Sequence, residues 1–208
     1  MTLEHLLVGP LQSNCFIIGD EKTGKAAVID PGGDGPEIIK RIQSKPWDVV
    51  AILNTHAHFD HIAANAELVR GTGAPLMVPQ LDAALLDQAA FQARMYGISV
   101  QESPKPDRLL EDSDIIEIGG ERVEVIATPG HTPGGVTFRS SLGIFSGDAL
   151  FAGSIGRTDL PGGDFETLIK SIKERILALP DDTPVYPGHG PSTTVGRERQ
   201  YNPFLQAF

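Results

Sequence analysis

At 208 residues, the chain has the length of one domain with a sizeable core, and 40% hydrophobic with 21% charged residues is too apolar a mix for a disordered polypeptide. Its formal net charge is −10 with no Lys/Arg cluster, which excludes a phosphate-backbone binder and sets nucleic acid aside as a partner. The longest aliphatic run, Val49–Leu53, falls far short of the roughly 20 residues that span a bilayer. Met1–Pro10 has no basic leader and the single Cys15 cannot form an internal disulfide, so a cytosolic protein without a membrane partner is expected.

Twenty-three glycines and 16 prolines predict a fold of short elements in one domain over 1–208. Leu6–Val8, Cys15–Ile18 and Ala26–Asp30 read as strands, the last two joined by the Asp20–Gly24 turn. Pro36 suits the first turn of a helix carrying Ile38, Ile39 and Ile42 on one face. Asp48–Leu53 is a buried strand, and Ile62–Val69 and Leu81–Met95 read as helices stopped by Gly71 and Gly97. Asp114–Ile118 and Arg122–Ala127 form a hairpin around Gly119-Gly120, and Val136–Arg139 with Gly143–Phe145 a second. Asp164 caps an amphipathic helix Phe165–Leu179, followed by a strand Pro184–Tyr186 and a short helix near Val195–Tyr201. This alternation predicts sheets packed on each other with helices outside.

Histidine carries the chemical signal. Thr55-His56-Ala57-His58-Phe59-Asp60-His61 follows the buried strand Asp48–Leu53 directly. In extended chain His56 and His58 point the same way, while Asp60 and His61, where a helix begins, aim at a second spot. The spacing suits two metal ions, and imidazole with carboxylate suits Zn²⁺, Fe or Mn. His131 in Thr128–Gly134, Asp148 in Ser146-Gly147-Asp148 and His189 in Tyr186–Gly190 each lie in a turn just past an apolar strand, where loops at one sheet end can converge. Thr55 and Asp30 are candidates to orient the imidazoles, or plain strand-end residues. His5, inside a strand, reads as an ordinary structural histidine.

The set T-H-A-H-F-D-H, P-G-H-T-P-G, G-D and P-G-H-G resembles the metallo-β-lactamase superfamily along the whole chain. Leu150–Gly163, Gly188–Pro191 and Asn202–Phe204 look like the short, single-domain branch of its glyoxalase II-like (hydroxyacylglutathione hydrolase-like) enzymes. The resemblance implies an αββα sandwich with two metals at one edge. His56, His58 and His131 would hold the first, Asp60, His61 and His189 the second, and Asp148 would bridge. It further implies a thioester hydrolase whose nucleophile is a water acidified between the metals, with Asp60 and Asp148 as the catalytic carboxylates. Zn²⁺ is the expected ion.

Full-length glyoxalase II enzymes add a helical region that holds glutathione, for which this chain has no counterpart after His189, so a small-molecule thioester is expected without a defined thiol. Arg157 is the candidate anchor for a substrate carboxylate, or else a loop brace paired with Asp159 or Asp164. Two alternatives stay open. One is a persulfide dioxygenase on the same sandwich, with one iron on His56, His131 and Asp148; the other is a metal-binding protein without turnover.

Overall fold

The computed structural model describes residues 1–206. Strands β1 (Thr2–Val8), β2 (Ser13–Asp20) and β3 (Lys25–Ile29) form an antiparallel meander. Three crossovers then add parallel neighbours β4 (Asp48–Leu53), β5 (Leu76–Pro79) and β6 (Arg108–Leu110), giving a six-stranded sheet in sequence order. Parallel strands require such long connections, and here they are helical: α1 (Gly35–Gln43), then α2 (Phe59–Ile62) with α3 (Asn65–Thr72), then a 3₁₀ stretch Gln80–Gln88 running into α4 (Ala89–Met95).

The second sheet begins with antiparallel β7 (Ile115–Ile118), β8 (Glu121–Ala127), β9 (Val136–Ser140) and β10 (Gly143–Gly147). A small hairpin, β11 (Leu150–Phe151) and β12 (Ser154–Ile155), and helix α5 (Phe165–Ser171) follow. β13 (Pro184–Pro187) pairs parallel to β10 and carries the short edge strand β14 (Thr193–Thr194). Helices α6 (Val195–Tyr201) and α7 (Pro203–Gln206) close the described chain.

Side-chain alternation sorts these sheets into layers. Phe16, Ile18, Ile29 and Leu53 face Val123, Val125, Phe138 and Phe145 across the middle. The outer face of the first sheet, with Ile17, Val28 and Ile52, is covered by Ile38, Ile62 and Leu68 of α1–α3. Ile144 and Val185 of the second are covered by Leu168, Ile172 and Val195. The result is the expected αββα sandwich. No helix among the described residues is long and apolar enough to cross a membrane.

Several expected elements differ in detail. The helix over Ile62–Val69 is two helices, because the Ala64 N–H donates to the Pro31 carbonyl (2.9 Å) instead of continuing one ladder. The helix over Leu81–Met95 starts as a 3₁₀ segment, with Asp82 turned into the protein and fully buried. The helix over Phe165–Leu179 relaxes into a π turn at Ile172–Ile176, where the Leu177 N–H reaches back to Ile172. The first strand runs from Thr2 rather than Leu6. Strands β5, β6, β11, β12 and β14, of two to four residues, are too short to show a period in sequence.

Candidate metal centre

The expected residues arrive from the C-terminal ends of four strands at one edge of the sandwich. His56 and His58 leave β4 in extended chain, and Asp60 and His61 lie in α2, which starts directly after His58. His131 follows β8, Asp148 follows β10, and His189 follows β13. The structure brings all seven together. Donor atoms of His56, His58 and His131 lie within 4.8 Å of one another, and so do those of Asp60, His61 and His189. Asp148 stands between the groups. Its Oδ1 is 3.4 Å from His61 Nε2, and its Oδ2 is 3.6 Å from His131 Nε2 and 3.7 Å from His189 Nε2. At Gly188 a Cβ would come within 2.2 Å of Asp148 Oδ1, so only glycine lets the His189 loop approach this closely.

Hydrogen bonds on the far side of each ring fix which nitrogen faces inward. Asp30 accepts from the Thr55 N–H (2.7 Å) and from Thr55 Oγ1 (2.6 Å). With its one proton so used, Thr55 Oγ1 accepts from His56 Nδ1 (3.1 Å), leaving His56 Nε2 with a bare lone pair. His61 Nδ1 donates to Asp30 Oδ2 (3.2 Å), and His131 Nδ1 to the Arg157 carbonyl (2.7 Å), so their Nε2 atoms are likewise bare. His58 Nδ1 then faces His131 Nε2 at 2.9 Å, two ring nitrogens converging on one point. Of the two roles the sequence left open for Asp30 and Thr55, orienting residue and strand-end residue, these bonds match the first. Asp30 holds a left-handed backbone (φ 51°) to do so.

Three further braces left no mark in the spacing of the motifs. Asp82 accepts from the Ala57 N–H (3.1 Å), between His56 and His58, and from the Gly134 N–H (2.6 Å) in the His131 loop. Ser13 Oγ donates to Asp60 Oδ2 (3.1 Å), which also meets His189 Nε2 at 3.1 Å. Asn14 holds the His189 loop by donating to the carbonyls of Pro187 (2.8 Å) and Gly190 (2.9 Å). His5, read as structural, is exposed, stacks on Phe16 and meets Asn14 Oδ1 at 2.7 Å. All three braces sit at strand ends or in the 3₁₀ turn, where polar residues are ordinary; their partners are 25 to 176 residues away in sequence.

The electrostatics suit a cation. Burial, reinforced by the neighbouring imidazoles, holds His56 well below the usual histidine range, and burial with His131 lowers His58 to about 4. Burial pulls His61 down too, but Asp148 and Asp60 outweigh it and raise its pKa, a pull toward positive charge that an ion at Nε2 would answer in place of a second ring proton. Asp60 and Asp148 are buried, which alone would raise them; His61 chiefly overrides this and keeps both below the carboxylate range. Among the described residues four buried side-chain polar atoms have no partner, and three are here: His56 Nε2, His61 Nε2 and Asp148 Oδ1. Native proteins rarely leave such groups unsatisfied, and bare imidazole and carboxylate donors aimed at one spot fit metal ions.

Above these residues opens a cleft of about 580 Å³ with Arg157 on its wall. The Arg157 guanidinium is forked onto Asp159, Nε to Oδ1 and Nη2 to Oδ2, both 2.7 Å. That is the brace arrangement; its carbonyl, not its side chain, touches the metal residues.

Fold and site together define a metal-dependent α/β hydrolase. The chain belongs to the metallo-beta-lactamase superfamily, whose family model matches residues 8–189. It is 38% identical to hydroxyacylglutathione hydrolase GloC of Haemophilus influenzae over 100% of this chain and 99% of that one. Its fold matches the crystal structure of BLEG-1 B3 metallo-beta-lactamase with a TM-score of 0.93 at 38% identity, covering 99% of this chain and 100% of that one. It matches the crystal structure of TTHA1623 in a di-iron-bound form with a TM-score of 0.89 at 41% identity, covering 97% and 100%.

Proposed function

We propose that the chain is a thioester hydrolase of the glyoxalase II type with two metal ions, Zn²⁺ in both places. His56, His58 and His131 would hold one ion, Asp60, His61 and His189 the other, and Asp148 would bridge. The observation that carries this reading is the reach of Asp148, whose two oxygens address two separate and complete donor groups. The relative named a hydroxyacylglutathione hydrolase, matched over nearly the whole of both chains, supports the thioester. When bound, the metal pair supplies an acidified water and a Lewis acid for the carbonyl.

The protein's own groups arrange the rest. No Ser, Thr, Cys or Lys lines the cleft among the described residues, which favours water over a side chain as the nucleophile. Asp30 and Thr55 hold His61 and His56 in the tautomer that leaves Nε2 free. Ser13 and His189 fix Asp60, and Asp60 with Asp148 partly offsets the cationic charge so that the site stays electrophilic. In the reaction a C–O bond forms and the C–S bond breaks. One water is consumed, and a carboxylic acid and a thiol leave. A thiolate departs without help from a general acid.

The one-iron oxidation alternative would leave His61 and His189 idle, yet both belong to a complete inward-facing group. Elemental analysis of protein purified without added metal, run beside a thiol-release assay, tests the proposal. Two ions per chain and thiol release that a chelator abolishes and Zn²⁺ restores are expected. One iron at saturation, or no thiol released by the loaded protein, would overturn it.

A further inference from the structure

The cleft floor is formed by His58, Asp60, His131, Asp148 and His189, but its walls are of another character. One wall is the helical stretch with Leu85, Phe91, Met95 and Tyr96; the other carries Phe151, Ile155, Leu160 and Pro161. Three large residues stand open to solvent at its mouth, Phe91 at 66%, Met95 at 74% and Tyr96 at 52% exposure. Exposed apolar surface concentrated beside a reactive site is a place for a ligand to cover.

The polar groups of the walls are as informative. Gln88 and Gln92 are neutral, and Arg157 is the one cation lining the cleft among the described residues. Its Nε and Nη2 fork onto Asp159, which first, and Tyr96 to a smaller degree, hold the guanidinium above its ordinary pKa. An anionic substrate would have to compete with a bidentate carboxylate already in place. The walls therefore offer contact area to hydrocarbon, and to a carboxylate only a cation already neutralised by Asp159.

We infer that the substrate of the hydrolase proposed above is an uncharged thioester with an apolar chain lying against Phe91 and Met95, rather than one whose thiol carries carboxylates. The inference rests on the hydrolase reading for the scissile bond only. The chain could belong to the acyl or to the thiol half, which have the same chemistry against this wall.

Two series on the metal-loaded protein separate those halves: acetyl to octanoyl esters of N-acetylcysteamine, and acetyl esters of ethyl to octyl thiols. In one series kcat/KM rises about two- to threefold per methylene until the cleft is filled, somewhat less than the roughly fourfold of full burial. S-lactoylglutathione is turned over no faster than S-lactoyl-N-acetylcysteamine. Phe91→Ser and Met95→Ser, at exposed positions that the fold does not need, flatten the rise. A rate independent of chain length in both series, or a preference for the glutathione ester of about tenfold or more, overturns the inference.

Calorimetry with thioethers, S-butyl to S-octyl N-acetylcysteamine, keeps this distinct from the reading beneath it. Affinity that grows with chain length, with a negative heat-capacity change, is expected whether or not any thioester is cleaved. Thioether binding without hydrolysis of any thioester would sink the hydrolase reading alone. Hydrolysis with no chain dependence in either assay would sink the apolar-chain inference alone.

Discussion

The carboxylate of Asp82 accepts the backbone N–H of Gly134 at 2.6 Å, tying the helical wall of the cleft to the loop that carries His131. Its other oxygen takes the Ala57 N–H, so one buried side chain fixes the spacing of His56, His58 and His131. Asp82→Ala should leave two N–H groups without partners, at a cost of about 1–3 kcal/mol each. Metal affinity should fall by about 10- to 100-fold, as for other groups that hold ligands in place. Chelator competition and thermal unfolding measure the two effects. A lower melting temperature with unchanged metal retention would reduce Asp82 to a structural role.

Asp148→Ala should remove the link between the two donor groups and lower kcat by at least on the order of 10²-fold. Metal content should drop as well. Turnover that persists at normal metal stoichiometry would contradict the bridging assignment.

Gly188→Ala is expected to act like a mutation of a ligand although it changes none. Residue 188 has an ordinary backbone, so alanine meets no torsional penalty there, and the effect is steric: the methyl would sit 2.2 Å from Asp148 Oδ1. Far-ultraviolet circular dichroism should stay near wild type while metal retention and thiol release collapse. Wild-type activity in this variant would mean that the loop has room to spare.

Acid should loosen the protein partly through Asp20. The Gly120 N–H first, then Thr23 Oγ1 and the Lys22 N–H, hold its carboxyl at about 2, below the unfolded value near 3.9. A depressed native pKa gives stability that is complete above pH ~4 and is lost as pH falls toward ~2. Urea unfolding of metal-free wild type and Asp20→Asn should therefore differ above pH ~4 and converge toward pH ~2. A gap that stays constant over that range would refute the assignment.

The seven candidate metal residues were legible because four crowd into Thr55–His61 and the other three lie singly in turns, each directly after an apolar run, and strand ends gather at sheet edges. Thr55, adjacent to the cluster, and Asp30, at the end of a neighbouring strand, were legible as candidates, although the sequence could not separate an orienting role from a strand-end one. Ser13, Asn14 and Asp82 were not, since each acts on a loop far away in sequence and looks locally like any turn residue. The layers followed from the succession of short apolar strands and amphipathic helices, and the αββα arrangement from the family resemblance. The helix breaks at Ala64 and Ile172 did not, because a single tertiary bond or a shift in ladder pitch decides them. Arg157 lies between these cases: a brace onto Asp159 or Asp164 and an anchor for substrate were both readable, and geometry pairs it with Asp159.

Each donor group draws on both sheets. His56 and His58 follow β4 of the first sheet while His131 follows β8 of the second; Asp60 and His61 follow β4 while His189 follows β13. An ion in either place would act as a rivet through the open rim of a clamshell, joining halves otherwise held by the hydrocarbon between them. Its loss should therefore show first as faster amide exchange along that rim, with the deep inter-sheet strands still protected. Loading at a hundredfold excess over the dissociation constant should add about 2.7 kcal/mol to the resistance of the whole clamshell to opening.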